Sequence, residues 1–133
     1  MNHVSLFSGY GGLDLGLKMA IPDLRTVLYC EFDRYAQGVL ISRMRDGGLD
    51  PAPIWTDVRT LDGRCWRGCV DIISGGFPCQ DISQLGTRLG IMGGRKSGLW
   101  NHYRRLIDEI RPSYAFIENV ADLTHRGHDL VLC

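Results

Sequence analysis

The sequence has no long apolar run, no cluster of histidines and no excess of either charge. No stretch approaches the roughly 18 apolar residues that a membrane-spanning helix needs, and the N-terminus lacks the basic and apolar regions of a signal peptide. The 15 basic and 15 acidic residues cancel, so no overall field indicates a polyanionic partner. These absences favour a globular protein outside the membrane, and we expect a cytoplasmic location.

The cysteines lack the pattern of a disulfide framework or a zinc site. They are odd in number and scattered: Cys30, Cys65, Cys69, Cys79 and Cys133. Cys65 and Cys69 are four residues apart, but neither a second pair nor a nearby histidine completes a zinc set. We therefore expect free thiols in a reducing compartment and no metal site.

Short apolar runs alternate with helical patterns along the 133 residues, a length that suits one domain. Glycine-rich residues 86–98 are predicted to form a mobile loop. The alternation predicts an α/β fold with an open parallel sheet, and such sheets bind ligands beyond the carboxyl ends of their strands. Strands are predicted at 4–7, 26–30, 54–58, 70–74 and 113–117, and helices at 13–19, 35–45 and 99–110.

The segment from Phe7 to Gly12, "FSGYGG", closes the first predicted strand. Its three glycines allow the backbone to approach a ligand closely with its amides. A tight strand-to-helix connection would need glycine for its own sake, so the turn alone does not identify a ligand. The pattern fits a nucleotide-type cofactor, although it departs from the G-x-G-x-x-G spacing of dinucleotide folds.

Acidic residues follow the next two predicted strands. Glu31 comes directly after the second strand, where a carboxylate can accept both hydroxyls of a ribose. Asp33 is predicted to cap the following helix. Phe32 fits either a contact with a flat base or a place in the core. Asp57 could accept a hydrogen bond from an adenine amino group or could stabilise a turn.

The segment "GGFPCQDIS", residues 75–83, presents Cys79 after a diglycine and Pro78, which stiffens the backbone. A thiol aimed in this way is typical of a nucleophile, whereas an isolated cysteine is usually an inert small hydrophobe. Glu118 in "FIENV" follows the fifth strand. Partial desolvation there would raise the pKa of Glu118 and let it hold a proton near neutrality; an exposed or capping acid is the alternative. Cys79 and Glu118 could act as a pair: the thiolate would add to a poor electrophile while the acid protonates a ring nitrogen.

Five segments, in this order, resemble the carbon-5 cytosine DNA methyltransferase family: "LFSGYGGLDLGL", "CEFD", "TDVRTL", "DIISGGFPCQDIS" and "FIENV". The F-P-C-Q and E-N-V elements are specific as a pair, and the resemblance covers essentially the whole chain. It implies a Rossmann-like, S-adenosylmethionine-dependent methyltransferase fold, with a parallel sheet and flanking helices, truncated after strand five.

The resemblance also implies roles for individual residues. Cys79 would add to carbon 6 of a cytosine flipped out of double-stranded DNA. Glu118 would contact ring nitrogen N3 and the exocyclic amine, with Asn119 holding it, while Pro78 and Gln80 shape the catalytic loop. S-adenosyl-L-methionine would be bound by Phe7, Ser8, Gly9, Gly11, Gly12, Glu31, Phe32, Asp57 and Val58.

Residues 1–133 are expected to be a partial catalytic and cofactor-binding domain. The sequence ends fifteen residues after Glu118, so we expect the Gln-x-Arg-x-Arg segment, the target recognition domain and the C-terminal motifs of the family to be absent. A second chain could supply this missing half. Three alternatives remain open: a catalytically inactive cofactor-binding remnant, an RNA-directed relative, and a dinucleotide oxidoreductase, which the glycine spacing disfavours.

Overall fold

A computed structural model describes residues 1–77 and 98–118. The strands of these residues form one five-stranded sheet in the order β3-β2-β1-β4-β5, and every pairing is parallel. The predicted parallel α/β fold is thereby confirmed. The strands are β1 (Asn2–Leu6), β2 (Arg25–Cys30), β3 (Ile54–Trp55), β4 (Ile72–Gly76) and β5 (Tyr114–Glu118).

The helices of the described residues are α1 (Gly12–Ala20), α2 (Arg34–Arg45) and α3 (Leu99–Ile110), and a 3₁₀ turn that was not predicted spans Arg64–Trp66. Helix α2 begins where it does because the Asp33 side chain accepts a hydrogen bond from the Ala36 amide at 2.8 Å, as predicted. In the described ranges, no helix has the length and hydropathy needed to cross a membrane.

All five strands differ from their predicted bounds: β1 is shifted towards the N-terminus, β2 starts one residue earlier, and the other three differ more consequentially for the site. β3 ends at Trp55 because the next residues form a turn, in which the Thr60 amide donates to the Asp57 carbonyl at 3.0 Å. β4 starts and ends two residues later than predicted, so it contains the diglycine. β5 includes Glu118 instead of ending before it. Of the glycine-rich loop, residues 86–97 lie outside the described residues.

Helix α3 covers one face of the sheet. Its buried residues recur at intervals of three or four positions, which places them on one side of the helix. They pack on the alternate residues of the central strand, Val4 and Leu6, both fully buried. The α3 residues in this cluster are Trp100, Tyr103, Leu106 and Ile110.

The opposite face of the sheet carries a buried polar network. His3 of β1 is fully buried, with Nδ1 2.9 Å from Thr26 Oγ1 of β2 and Nε2 2.7 Å from Ser74 Oγ of β4. Burial lowers the pKa of His3 to about 4, so the ring is neutral at physiological pH. This network was not predicted, although His3 and Ser5 alternate with apolar residues along β1.

Candidate functional site

A cleft of about 490 Å³ lies at the carboxyl ends of the strands. It spans the junction of β1 and β4, where the strand order of the sheet reverses and open α/β sheets bind ligands. The predicted convergence of strand ends at one site is thereby confirmed for these residues, while their individual roles remain predictions. The lining residues are Phe7, Cys30, Glu31, Phe32, Asp57, Val58, Arg59, Gly76 and Leu99.

The glycine turn after β1 is tightly constrained. Phe7, which is not a glycine, has a φ of 51°, a left-handed conformation that costs of the order of 1–3 kcal/mol and is often found at functional sites. The Ser8 amide donates to the Cys30 carbonyl at 3.1 Å, which ties the turn to β2. Gly11 has a φ of 75°, and a Cβ there would lie 2.6 Å from Leu49 Cδ1. Gly9 and Gly12 line neither cavity, and Ser8 lines the smaller one described below.

Glu31 is fixed at the rim of the cleft by two backbone amides. Its Oε2 accepts from the Gly9 amide at 2.7 Å, and its Oε1 accepts from the Asp33 amide at 2.8 Å. A carboxylate can accept about four hydrogen bonds, so two acceptor positions remain. The predicted contact with ribose hydroxyls is compatible with this geometry.

Asp57 forms an ion pair that the sequence analysis did not predict. Arg59 Nε donates to Asp57 Oδ1 at 2.9 Å, and Arg59 Nη2 donates to Oδ2 at 2.8 Å. These hydrogen bonds lower the pKa of Asp57. The guanidinium carbon of Arg59 also lies 6.0 Å from the centroid of the Phe32 ring, which is 71% exposed. One wall of the cleft therefore offers an aromatic face beside an ionised acceptor.

Helix α3 holds the loop that carries Asp57. Arg105 donates to the Val58 carbonyl at 3.0 Å and to the Leu61 carbonyl at 2.9 Å. Its Nη1 also lies 2.8 Å from Glu109 Oε2 one helical turn later. One arginine thus connects the helix to the chain that follows β3, a contact that sequence spacing could not reveal.

Cys30 is the cysteine that lines the larger cleft in the described residues, and its burial makes it poorly suited to act as a nucleophile. Burial raises the pKa of its thiol to about 12, and the charges of Glu31 and Asp57 add to this effect. Cys30 is therefore neutral at physiological pH. Four predicted catalytic residues, Pro78, Cys79, Gln80 and Asn119, lie outside the described residues, so their roles remain predictions.

A smaller cavity of about 110 Å³ adjoins the cleft, and Phe7 and Gly76 line both. Its other lining residues are Ser5, Leu6, Ser8, Leu13, Asp14, Gly75 and Glu118. A Cβ on Gly76 would overlap Glu118 Oε2, so glycine leaves room for this carboxylate.

Glu118 is exposed, which agrees with the alternative of an exposed acid and not with partial desolvation at the end of an apolar strand. The physical reason is the position of β5, which is the last strand at one edge of the described sheet. Its aromatic residues Tyr114 and Phe116 are also exposed, at 58% and 42%.

Asp14 of α1 is the most unusual group at the smaller cavity, and the sequence analysis did not identify it. It is only 2% exposed, and neither carboxylate oxygen has a hydrogen-bond partner of good geometry in the described residues. Its Oδ1 lies 3.8 Å from Nδ1 of the neutral His3 ring. Burial raises the pKa of Asp14 to about 6 against a weaker opposing effect of the Ser5 hydroxyl. Near neutral pH the protein therefore holds a buried carboxylate with no charged ion-pair partner among the described residues, which is costly.

Substituting Asp14 with asparagine is expected to stabilise the protein at pH 7.5 and to have little effect near pH 4. Because the pKa of Asp14 is raised from 3.8 to about 6 on folding, ionisation penalises the folded state increasingly as pH rises through this range. The full penalty is about 3 kcal/mol, from about 1.4 kcal/mol per pKa unit. Urea unfolding at a series of pH values measures it.

The matched control is Asp23→Asn, which makes the same chemical change at an exposed residue. His3 is present in both variants. The protein loses stability as pH falls towards 4 because the buried His3 ring must take up a proton, and this loss is common to both variants. The other ionisable groups that act on Asp14 are Asp50, whose charge adds to the upward shift, and Tyr29, which stays neutral because its own pKa is about 12. If Asp14→Asn stabilised the protein by the same amount at every pH, the raised pKa of Asp14 would be contradicted.

These features are those of an α/β domain that binds a nucleotide-type cofactor: a parallel sheet, a glycine turn after β1, and acidic residues after β2 and β3. Residues 1–132 match the family model of the C-5 cytosine-specific DNA methylases. The chain belongs to this family.

Characterised relatives match over most of the chain. The type II methyltransferase M2.BsuMI of Bacillus subtilis is 38% identical over 124 residues, which are 90% of this chain and 29% of the relative. M.PspPI of a Psychrobacter strain is 37% identical over 90% of this chain and 27% of its own length. M.Eco47II of Escherichia coli is 35% identical over 95% of this chain and 28% of its own length. The chain thus spans less than a third of the length of these relatives.

Solved structures with the same fold include DNMT2 of Spodoptera frugiperda, in a mutant form, with a TM-score of 0.74 and 19% identity. That match covers 98% of this chain and 38% of the other. The Dnmt2 methyltransferase of S. pombe has a TM-score of 0.72 and 18% identity, over 99% of this chain and 40% of the other. These similarities confirm the Rossmann-like methyltransferase fold.

Proposed function

We propose that the chain is the cofactor-binding and catalytic part of a DNA (cytosine-5-)-methyltransferase, which transfers a methyl group from S-adenosyl-L-methionine to carbon 5 of cytosine in double-stranded DNA. The observation that carries this proposal is the placement of the cleft. Glu31, Phe32 and Asp57 line it together with Gly76, the last residue of the strand that leads to Cys79. Family membership supplies the reaction class.

The residues of the cleft fit S-adenosyl-L-methionine, which supplies an activated methyl group when bound. Glu31 keeps two acceptor positions for ribose hydroxyls after binding the Gly9 and Asp33 amides. Phe32 presents an exposed, flat face to the adenine. The ionised Asp57 carboxylate is a suitable acceptor for the adenine amino group.

The catalytic step assigned to this chain begins at Cys79. Its thiolate adds to carbon 6 of the cytosine, and a bond forms between sulfur and that carbon. Glu118 hydrogen-bonds ring nitrogen N3 and the exocyclic amine, so that it stabilises the electron density that the addition places in the ring. Carbon 5 then becomes nucleophilic and receives the methyl group, and S-adenosylhomocysteine is the leaving group. A base, for which water suffices, takes the carbon-5 proton; the electron pair of the broken C–H bond restores the double bond between carbons 5 and 6 and expels the Cys79 thiolate.

The cytosine must leave the base stack before the thiol can reach it. The chain itself carries equal numbers of acidic and basic residues, so it offers little net attraction for phosphate. We therefore propose that polypeptide corresponding to the rest of the relatives, more than two thirds of their length, supplies most of the DNA contact and the sequence recognition. In this proposal, residues 1–133 contribute the cofactor site and the nucleophile.

The test is transfer of a radiolabelled methyl group from S-adenosylmethionine to duplex DNA. The assay is run with the chain alone and with the C-terminal part of the Bacillus subtilis relative added in trans. Label is expected in cytosine-containing duplex and not in a duplex of the same sequence in which 5-methylcytosine replaces every cytosine. If neither condition gives label while calorimetry detects binding of S-adenosylhomocysteine, the chain is a cofactor-binding module without methyltransferase activity.

A further inference from the structure

We propose that Arg59 competes with the base of the cofactor for the Asp57 carboxylate, so that the Arg59 side chain must leave before the adenine amino group can donate to this acid. This inference rests on the proposed function, because it takes adenine to be the base that Asp57 binds. Arg59 then lowers the affinity of the cleft for adenine and weakens its preference for a base with an amino group.

The hydrogen bonds of Arg59 fill the acceptor positions of Asp57. The Arg59 amide and Nε donate to Asp57 Oδ1 at 3.0 and 2.9 Å. Nε and Nη2 donate to Oδ2 at 3.0 and 2.8 Å. A carboxylate has about four acceptor positions, so these four contacts use all of them. An incoming amino group must therefore displace at least one donor of Arg59.

Arg59 is the partner that is free to move. Asp57 is fixed through its backbone carbonyl, which accepts from Trp55 Nε1 and from the Thr60 amide, both at 3.0 Å. The Arg59 side chain is 57% exposed, whereas that of Asp57 is 22% exposed. Arg59 lines the larger cleft, and its guanidinium carbon lies 6.0 Å from the centroid of the exposed Phe32 ring. The side chain can therefore turn towards solvent without any repacking of the core.

The ion pair is weak enough to open when a ligand binds. An exposed pair between arginine and a carboxylate shifts an equilibrium by about fivefold at most, and salt screens it. The competition is therefore expected to reduce the affinity for adenine by a few fold and not to abolish binding. Salt should relieve this reduction.

A second Asp-x-Arg pair provides a matched control. The Arg64 amide and Nε each donate to Asp62 Oδ1 at 3.0 Å, and Arg64 Nη2 donates to Oδ2 at 2.8 Å. Both side chains are exposed, and neither residue lines either cavity. Replacing Arg64 removes the same charge and the same kind of pair outside the proposed base site.

The experiment compares two uncharged nucleosides that differ in one group. The first is 5′-methylthioadenosine, and the second is the corresponding purine riboside, which lacks only the exocyclic amino group. Titration calorimetry measures both dissociation constants for the wild type, Arg59→Met and Arg64→Met. Methionine keeps an unbranched stem but has neither the charge nor the donors of arginine. Arg59→Met is expected to bind 5′-methylthioadenosine about two- to fivefold more tightly and to gain no affinity for the purine riboside.

Two further measurements make the result decisive. Raising the salt concentration from about 0.05 M to about 0.5 M should increase the affinity of the wild type for 5′-methylthioadenosine about twofold and leave that of Arg59→Met unchanged. Arg59→Lys keeps the charge but loses the two-point contact, so its affinity should lie between those of the wild type and Arg59→Met. Arg64→Met should bind both nucleosides as the wild type does. Thermal melting verifies that each variant is folded.

The outcomes separate the inference from the proposed function. The competition is overturned if Arg59→Met binds 5′-methylthioadenosine no more tightly than the wild type does. An equal gain for the purine riboside, or the same gain in Arg64→Met, also overturns it, because the effect would then come from charge or access in general. In these cases, binding of 5′-methylthioadenosine by the wild type leaves the adenosine site in place. Failure of the wild type to bind either nucleoside overturns the cofactor site itself and the competition with it.

Discussion

Replacing Cys79 with serine is expected to lower methyl incorporation into cytosine-containing DNA by about a thousandfold or more, as for other nucleophile substitutions. A cysteine thiol, with an ordinary pKa of about 8.5, is a few per cent thiolate at pH 7, and the thiolate is intrinsically very nucleophilic. A serine hydroxyl supplies no comparable anion without a dedicated base. Because serine is close in size to cysteine, the change removes the nucleophile while retaining the shape of the loop. The measurement is the initial rate of label transfer.

Two other cysteines provide matched controls. Cys65 and Cys69 are exposed, and neither lines either cavity, so Cys65→Ser and Cys69→Ser each remove a thiol that has no proposed part in the chemistry. Both variants should transfer label at the wild-type rate. Equal incorporation by the wild type and Cys79→Ser would rule out Cys79 as the nucleophile. A comparable loss in the control variants would mean that general thiol chemistry, such as oxidation, limits the assay.

The strands and helices could be predicted because each leaves a local signature. Helix α3 was predicted at its observed bounds, 99–110, since its apolar residues have helical spacing and Pro112 follows. The convergence of Phe7, Glu31 and Asp57 at one edge also follows from local information. In a parallel sheet, the residues that directly follow the strands all lie at the same edge, at the carboxyl ends of the strands.

The remaining features depend on contacts between residues that are distant in sequence. Arg105 binds the carbonyl of Val58, 47 positions earlier, and nothing in the spacing of either residue indicates the pairing. The burial of Asp14 was equally unpredictable, because a carboxylate in the first turn of a helix is usually a solvated, dipole-stabilising residue. Here the central strand places His3 beneath it, and the sheet excludes water from both.

Substituting Gly75 with alanine is expected to lower the free energy of unfolding by about 3 kcal/mol, the upper range for overpacking a core. Gly75 lies in β4 between Leu6 of β1 and Ile117 of β5. A Cβ at this position would overlap the Leu6 carbonyl oxygen and approach Tyr103 Cε2 to 3.0 Å. The carbonyl belongs to the backbone of the central strand, so relief requires β1 and β4 to separate. Urea unfolding monitored by circular dichroism measures the change in midpoint.

The diglycine that precedes Pro78 therefore has a structural role that its sequence motif does not reveal: it lets the strand that leads to Cys79 pack directly against β1. Gly16→Ala is the control, since Gly16 lies within α1 with open space around its Cβ position. That substitution should raise stability by roughly 0.5–1 kcal/mol, because alanine is the better helix former. If Gly75→Ala were as stable as the wild type, β1 and β4 would have to be further apart than this structure places them. The cleft and the smaller cavity, which share the end of β4, would then need a different geometry.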